Sequence, residues 1–315
     1  FIRFYNTEIM ANILLRSPYY EAEFQSGAIS AKLELSINGN LEYTIIKDTV
    51  GGNILFEVSE LVSDFIDISF SGTYTSQVGV FSGVITFYAG ANGSGAVLGT
   101  PTQFNHIGLD GYSTFLEGKN YAIPDETLLQ ANTKMYVPEG VAGVIPYIDG
   151  GEIVYQAFNS SATSATVVTI PVTIKRTCDP KYTPIKVTFL NKYGALQDLW
   201  FDKKSVNTYT STSETFRRNV INLDGSYSTS AHQTYNTNYT ATESIVLNTG
   251  FVDEGMDEVI NQLTLSPKIW GTINSQVIPL SIKTKNQTRK THLNDKLINY
   301  TIEFDYAFDY INNIR

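Results

Sequence analysis

The chain has 315 residues, of which 42% are hydrophobic and 17% charged, with a net charge of −9 and one cysteine, Cys178. An acidic protein is a poor match for nucleic-acid phosphates, so no nucleic-acid specificity is expected. One cysteine excludes an intrachain disulfide and a cysteine-rich zinc site.

Tyr (20) and Phe (17) are abundant beside Thr, Ser, Asn and Gly, a mix that favours strands and polar turns. No apolar run approaches the ~20 residues that span a bilayer, so no membrane insertion is expected. Residues 1–9 lack the segments of a signal peptide. Met10-Ala11-Asn12 looks like a translation start, so 1–9 read as a non-native segment or a short arm, on a protein made in a cytoplasm. Cys178 reads as a small buried or half-buried residue rather than a catalytic thiol, which would need a neighbouring base, because His106, His232 and His292 lie far from it in sequence.

Residues 28–47 read as a hairpin. Ile29, Ala31, Leu33, Leu35 and Ile37 alternate with polar residues, Asn38-Gly39 turns, and Leu41, Tyr43 and Ile45 return. Gly51-Gly52 precedes a short strand at 54–56. Residues 57–66 switch to a helical period, with Val58, Leu61, Val62 and Phe65 on one face. Residues 78–88 are strand again. Short strands with regular turns predict an N-terminal β-sandwich domain over 10–99.

Residues 100–166 read as an irregular, β-rich middle region, punctuated by Pro124, Pro138 and Pro146 and ending in a small, polar linker at 159–166. A C-terminal β-domain then spans 167–315. It opens with a strand at 167–175 and a hairpin at 184–201, where Gly194 suits the left-handed position of the loop. Residues 203–249 are polar, with exposed strands and loops. They read either as solvated β-structure or as segments ordered against a neighbour. Helix 253–264 follows, with Met256, Val259, Ile260 and Leu263 on one face and acids in its first half. A basic run at 283–296 leads into the longest alternation in the chain, Ile298 to Tyr310, which has one aromatic face and one acidic face. The fold class is mainly β, with two or more β-sandwich-like domains and one or two short helices.

Two groups of acids, Asp253/Glu254/Asp257/Glu258 and Glu303/Asp305, could in principle hydrolyse a glycan. The first is explained by the helix dipole and the second by a solvated strand face. Phosphate-loop, nucleophile-elbow and zinc-protease motifs are missing. The expectation is therefore a protein that is not an enzyme, with no cofactor and no metal. Lys285, Arg289 and Lys290 are expected to face the acidic helix 253–258 or Glu303 and Asp305 of a neighbouring subunit, setting register, with a solvated loop as the alternative. Trp200 and Trp270 would add rigid contact area.

Three stretches carry a resemblance: Phe189-Leu-Asn-Lys-Tyr-Gly-Ala-Leu-Gln-Asp-Leu-Trp-Phe201, Leu265-Ser-Pro-Lys-Ile-Trp270 and Leu293-Asn-Asp-Lys-Leu-Ile-Asn-Tyr-Thr-Ile-Glu-Phe304. Together with Met10 to Tyr20, they resemble virion proteins of tailed phages that infect Bacteroidetes and marine flavobacteria. The resemblance implies a structural role in the virion tail, as a tail-tip, baseplate or tail-ring subunit. Its partners would be copies of itself in a homo-oligomeric ring and other tail proteins. It brings no functional residues with it. A receptor- or carbohydrate-binding tail protein and a head-to-tail connector or capsid-associated protein are the alternatives.

Overall fold

The terminal alternation does become a strand, but a shorter one, at Leu297–Tyr306. Tyr300, Ile302 and Phe304 are buried in one core, while Asn299 and Thr301 on the opposite face are exposed. The sequence pattern outruns the strand. Phe308 and Tyr310 are 56% and 62% exposed, because the chain has already left the sheet. This is a computed structural model, and it describes residues 10–178, 181–284 and 297–311.

The N-terminal unit is built on a six-stranded sheet of order β4-β3-β6-β7-β1-β8. Its strands are β1 (Ala11–Leu14), β3 (Ser30–Ile37), β4 (Asn40–Asp48), β6 (Gly79–Tyr88), β7 (Val97–Leu109) and β8 (Ala122–Ile123). A two-stranded antiparallel sheet of β2 (Tyr20–Phe24) and β5 (Asn53–Glu57) accompanies it, followed by helix α1 (Ser59–Ser63). Leu33, Leu35 and Ile37 of β3 meet Phe56, Val62, Phe81 and Ile85 in the core. Asn38 (φ 50°) and Gly39 (φ 85°) close the β3–β4 hairpin in the left-handed conformation that this turn requires. The helical period of 57–66 gives only α1. The Glu57 carboxylate accepts the Glu60 amide at 3.1 Å, and Val58 and Val62 are buried. Phe65 lies outside the core, edge-on to Tyr43.

β7 crosses the domain boundary expected at residue 99. Pro101 is accommodated because the β6–β7 register slips there, between Thr102 and Leu98, and proline is tolerated at a bulge. The rest of the middle region is more regular than its prolines and glycines suggest. β9 (Lys134–Pro138), β12 (Ser164–Val167) and β13 (Ile170–Thr177) form a three-stranded sheet in which β9 runs parallel to β13. The hairpin of β10 (Gly143–Asp149) and β11 (Glu152–Phe158) completes a small core with Met135, Val137, Ile145, Phe158, Val172 and Ile174. The expected linker is thus a turn that runs into a strand at Ser164. Cys178 is exposed rather than buried, since it follows the last residue of β13.

The C-terminal unit is a seven-stranded antiparallel sheet of order β15-β14-β18-β19-β20-β17-β16. Its strands are β14 (Ile185–Leu190), β15 (Leu196–Phe201), β16 (Val206–Arg217), β17 (Thr234–Asp253), β18 (Ile269–Ile273), β19 (Gln276–Ile282) and β20 (Leu297–Tyr306). The expected helix splits into a 3-10 turn at Glu254–Met256 and helix α2 at Asp257–Thr264. Met256, Val259, Ile260 and Leu263 pack against Val187, Phe189, Phe201, Leu247, Ile302 and Phe304. The helix therefore covers the face to which the terminal strand contributes its aromatic side.

Three units meet at one seam. Leu14 and Leu109 of the first, Ile148 and Ile153 of the second and Ala195 of the third share a buried cluster. Asn191 lies at its centre, with no exposed surface. Its side-chain amide donates to the Leu129 carbonyl at 2.6 Å, and its side-chain oxygen accepts the amides of Tyr193 and Ala195 at 3.0 and 3.1 Å. A buried polar side chain that satisfies this many backbone groups fixes loop geometry, because leaving those groups unpaired is expensive.

Candidate assembly interface

β17 is 20 residues long, but β20 pairs with it only from Ser244 to Asp253. From Thr234 to Glu243 its one partner strand is β16. The two strands therefore leave the sheet as a ribbon. From Tyr209 to Arg217 it extends about 30 Å, at ~3.3 Å per residue. All of β16 is exposed.

Local chemistry explains why this polar stretch is a strand. Thr, Val, Tyr and Phe favour extended backbone, and threonines pair across the ribbon. The Thr212 and Thr240 hydroxyls lie 2.6 Å apart, and the Thr215 hydroxyl donates to Asn236 at 2.9 Å. Between these pairs β17 carries an extra residue, so Asn238 and Tyr239 oppose Ser213. Asn238 adopts φ 52°, a conformation that asparagine tolerates, and its amide donates to Glu214 at 2.6 Å. Near the tip Phe216 stacks on Tyr235 at 5.5 Å, and the Arg218 guanidinium lies 4.4 Å from the Tyr235 ring centre.

The tip is a tight turn. The Asn222 amide donates to the Ser226 carbonyl at 2.8 Å, and the Asp224 carboxylate accepts the Ser226 hydroxyl at 2.6 Å and its amide at 2.9 Å. Those hydrogen bonds hold the Asp224 carboxyl below its usual range. The turn presents Ile221, Leu223 and Tyr227 to solvent. The base is braced by the chain after β20. The Tyr310 amide donates to Ala241 at 2.9 Å, and the Tyr310 ring meets Tyr209 edge-on at 4.8 Å.

Glu303 and Asp305 lie on β20 and are met within the same chain by Lys283, at 2.7 and 3.7 Å. The hydrogen bond from Lys283 lowers the Glu303 carboxyl from its ordinary value. Lys285, Arg289 and Lys290 lie outside the described residues. Trp200 and Trp270 are half-buried inside the molecule. Trp200 packs against the middle core, and Trp270 lies 5.7 Å from the Phe70 ring. By register Trp200, Trp270 and Glu303 lie on the same face of the C-terminal sheet, the one away from α2, where the chain itself partly covers both tryptophans. Sequence reading found the ribbon as polar exposed strands, but not its reach.

The acidic helix start is also engaged. Asp253 accepts Lys134 at 2.8 Å and Lys175 at 3.2 Å, as well as the Tyr136 hydroxyl, and these donors hold its carboxyl down at about 2. Asp257 accepts the Tyr300 hydroxyl. Among the described residues no group of three or more His, Cys, Asp and Glu is placed to hold a metal ion. No described helix is long and apolar enough to cross a membrane. No family model, curated protein or solved structure matches the chain.

Proposed function

We propose that the chain is a structural subunit of a phage virion, in the tail tip, baseplate or a tail ring, and that it assembles with copies of itself through the β16–β17 ribbon. The carrying observation is the ribbon. A lone two-stranded ribbon is marginal in water, and it is stabilised when another surface covers it. Its outer edge, Val206 to Arg217, contains no proline and no lysine and has two charged residues, Glu214 and Arg217. Soluble proteins normally guard such an edge with charge or proline, so an unguarded one is suited to adding a strand. The exposed Ile221, Leu223 and Tyr227 supply apolar anchors at the tip. Repetition of one head-to-tail contact closes into a ring. The resemblance to phage tail proteins supports a tail location.

Light scattering and native mass spectrometry across rising concentration test this reading, with hydrogen exchange on the β16 amides. The expected result is a closed oligomer in which Val206–Arg217 gains protection. A chain that stays monomeric at every concentration, with the ribbon amides still exchanging fast, overturns it. Exposed Tyr209, Tyr227 and Tyr239 favour a second reading, a carbohydrate-binding tail protein. That reading requires the ribbon to remain exposed in the assembled particle and to bind glycans.

A further inference from the structure

A second pair of surface features lies away from the ribbon. The loop between β7 and β8 carries Phe115 and Leu116, which are 91% and 82% exposed. A flexible loop could hide such a pair at little cost, but this one is held in place. The Glu117 carboxylate accepts the Thr114 amide at 2.7 Å and the Thr114 hydroxyl at 3.0 Å, closing the turn on which both apolar residues stand. The same carboxylate takes the Lys192 ammonium at 2.5 Å, which anchors the turn to the buried seam. Two adjacent apolar side chains, fixed and facing solvent, form a knob.

The matching feature is a groove of about 770 Å³ beside the two-stranded β2–β5 sheet. Phe24, Val50 and Leu55 line it and are themselves exposed. Its wall is rigid, since Val50 and Asn53 exchange backbone hydrogen bonds at 3.0 and 3.1 Å across Gly51-Gly52. Gly52 could not be replaced cheaply. At φ 85° it approaches the Gln25 carbonyl so closely that an added Cβ would lie 2.5 Å from that oxygen. Two acids, Glu23 and Asp48, and one base, Lys47, line the groove, which leaves it net acidic; Lys47 donates to the Leu55 carbonyl and lies over the Phe56 ring. Beside the knob, Lys119 stands over the Tyr20 ring and offers the opposite charge.

Knob and groove lie at opposite ends of β2. Asn120 binds both backbone groups of Tyr20 at the start of the strand, whereas the groove begins at Ala22 and includes Phe24 at its end. We propose that the Phe115-Leu116 knob of one copy seats in the Phe24/Val50/Leu55 groove of the next, with Lys119 facing Glu23 and Asp48. The occupant is a second copy because one chain carries both halves of the contact, an apolar pair and an apolar groove flanked by opposite charges. Because the two halves differ, the contact is head-to-tail, the kind that closes rings. One aromatic buries roughly 200 Å², well short of the ~800 Å² per partner of a stable interface, so the knob works together with the ribbon. The inference therefore rests on self-assembly, but it has its own readout.

Two single-cysteine proteins, Leu116→Cys and Val50→Cys, each also carrying Cys178→Ser, are mixed and treated with a short bis-maleimide. The expected product is a 116–50 heterodimer. It should fall on the order of tenfold when Phe115→Ser is added. It should fall again with Lys119→Glu and recover when Lys119→Glu is mixed with Asp48→Lys. Oligomers without the 116–50 link overturn the knob and leave the ribbon standing. The link without larger oligomers keeps the knob and removes the ribbon. Only 116–116 or 50–50 links, or no link at all, overturn the head-to-tail contact.

Discussion

The Tyr74 hydroxyl donates to the buried Asp198 carboxylate at 2.5 Å, joining residues 124 positions apart. Asp198 also accepts the Thr188 hydroxyl at 2.6 Å, and Lys186 donates to the Tyr74 oxygen at 2.8 Å. Burial, with Asp198 beside it, pushes the Tyr74 phenol well above its ordinary range, so it is a donor at neutral pH. This network ties the segment between α1 and β6 to the C-terminal sheet. Tyr74→Phe should cost about 1–3 kcal/mol, the penalty for a buried acceptor that loses a partner. Asp198→Ala should cost more, since Tyr74 and Thr188 lose their acceptor together and Lys186 loses its ion pair at 3.8 Å. Thermal unfolding checks both, and proteolysis within residues 64–78 should speed up in each variant.

Asp253 makes acid sensitivity local. Its folded carboxyl lies at about 2, held down first by the Lys134 hydrogen bond and then by Tyr136. A depressed carboxylate contributes stability above its unfolded value and loses it as pH falls through the folded one. The contribution is therefore complete at neutral pH and fades between about pH 4 and pH 2. Asp253→Asn should lower Tm at pH 7. The gap to the parent should close across that window, and a gap that stays constant to pH 2 would contradict the assignment.

Arg176 holds two loops through backbone carbonyls. It donates to Ala162 at 2.9 Å, Pro138 at 3.2 Å, Val141 at 2.5 Å and Asn159 at 2.8 Å. A lysine ammonium has three donors at one point and cannot reproduce that planar fork. Arg176→Lys should cost about 1–3 kcal/mol in urea unfolding. Hydrogen exchange should rise in residues 138–143 and 159–163 and stay unchanged in the C-terminal sheet.

What was legible in the sequence was local. Asn38-Gly39 and Asn191 to Gly194 announce their hairpins because turn chemistry lies within a few residues. Val259, Ile260 and Leu263 announce α2 through their spacing. Pairings across long separations were not legible. β1 lies parallel to β7, with Ala11 beside His106, and β9 lies parallel to β13, with Lys134 beside Thr173. Neither leaves a periodic trace, so 100–166 reads as irregular. The apolar alternation of 298–310 did not show that the strand stops at Tyr306, because the end is set by where β19 and β17 can still pair. The reach of the ribbon depends on the same limit. Lys283, at the edge of the basic run, follows β19 and pairs with Glu303 on β20 of its own chain, a contact that the charge pattern alone does not specify.

The ribbon edge gives the sharpest test of assembly. Ser211 and Ser213 are exposed, lie in the middle of β16 and have side chains on the same face. Ser211→Lys with Ser213→Lys adds two charges to an edge that carries few, the device by which natural edge strands avoid pairing. Nothing buried changes, so the shift in stability should stay within about 0.5 kcal/mol, as at ordinary surface positions. Association should weaken on the order of tenfold or more, because a neighbouring strand would have to accept both lysines. Adding salt should recover part of the loss if charge is the cause, since exposed charges are screened beyond ~10 Å at 0.1 M. Sedimentation velocity reads the association and a thermal melt reads the fold. Unchanged association in the double variant would move the assembly contact off this edge, and a collapsed melt would instead show that the exposed Ser211 and Ser213 side chains support the β16–β17 pairing itself.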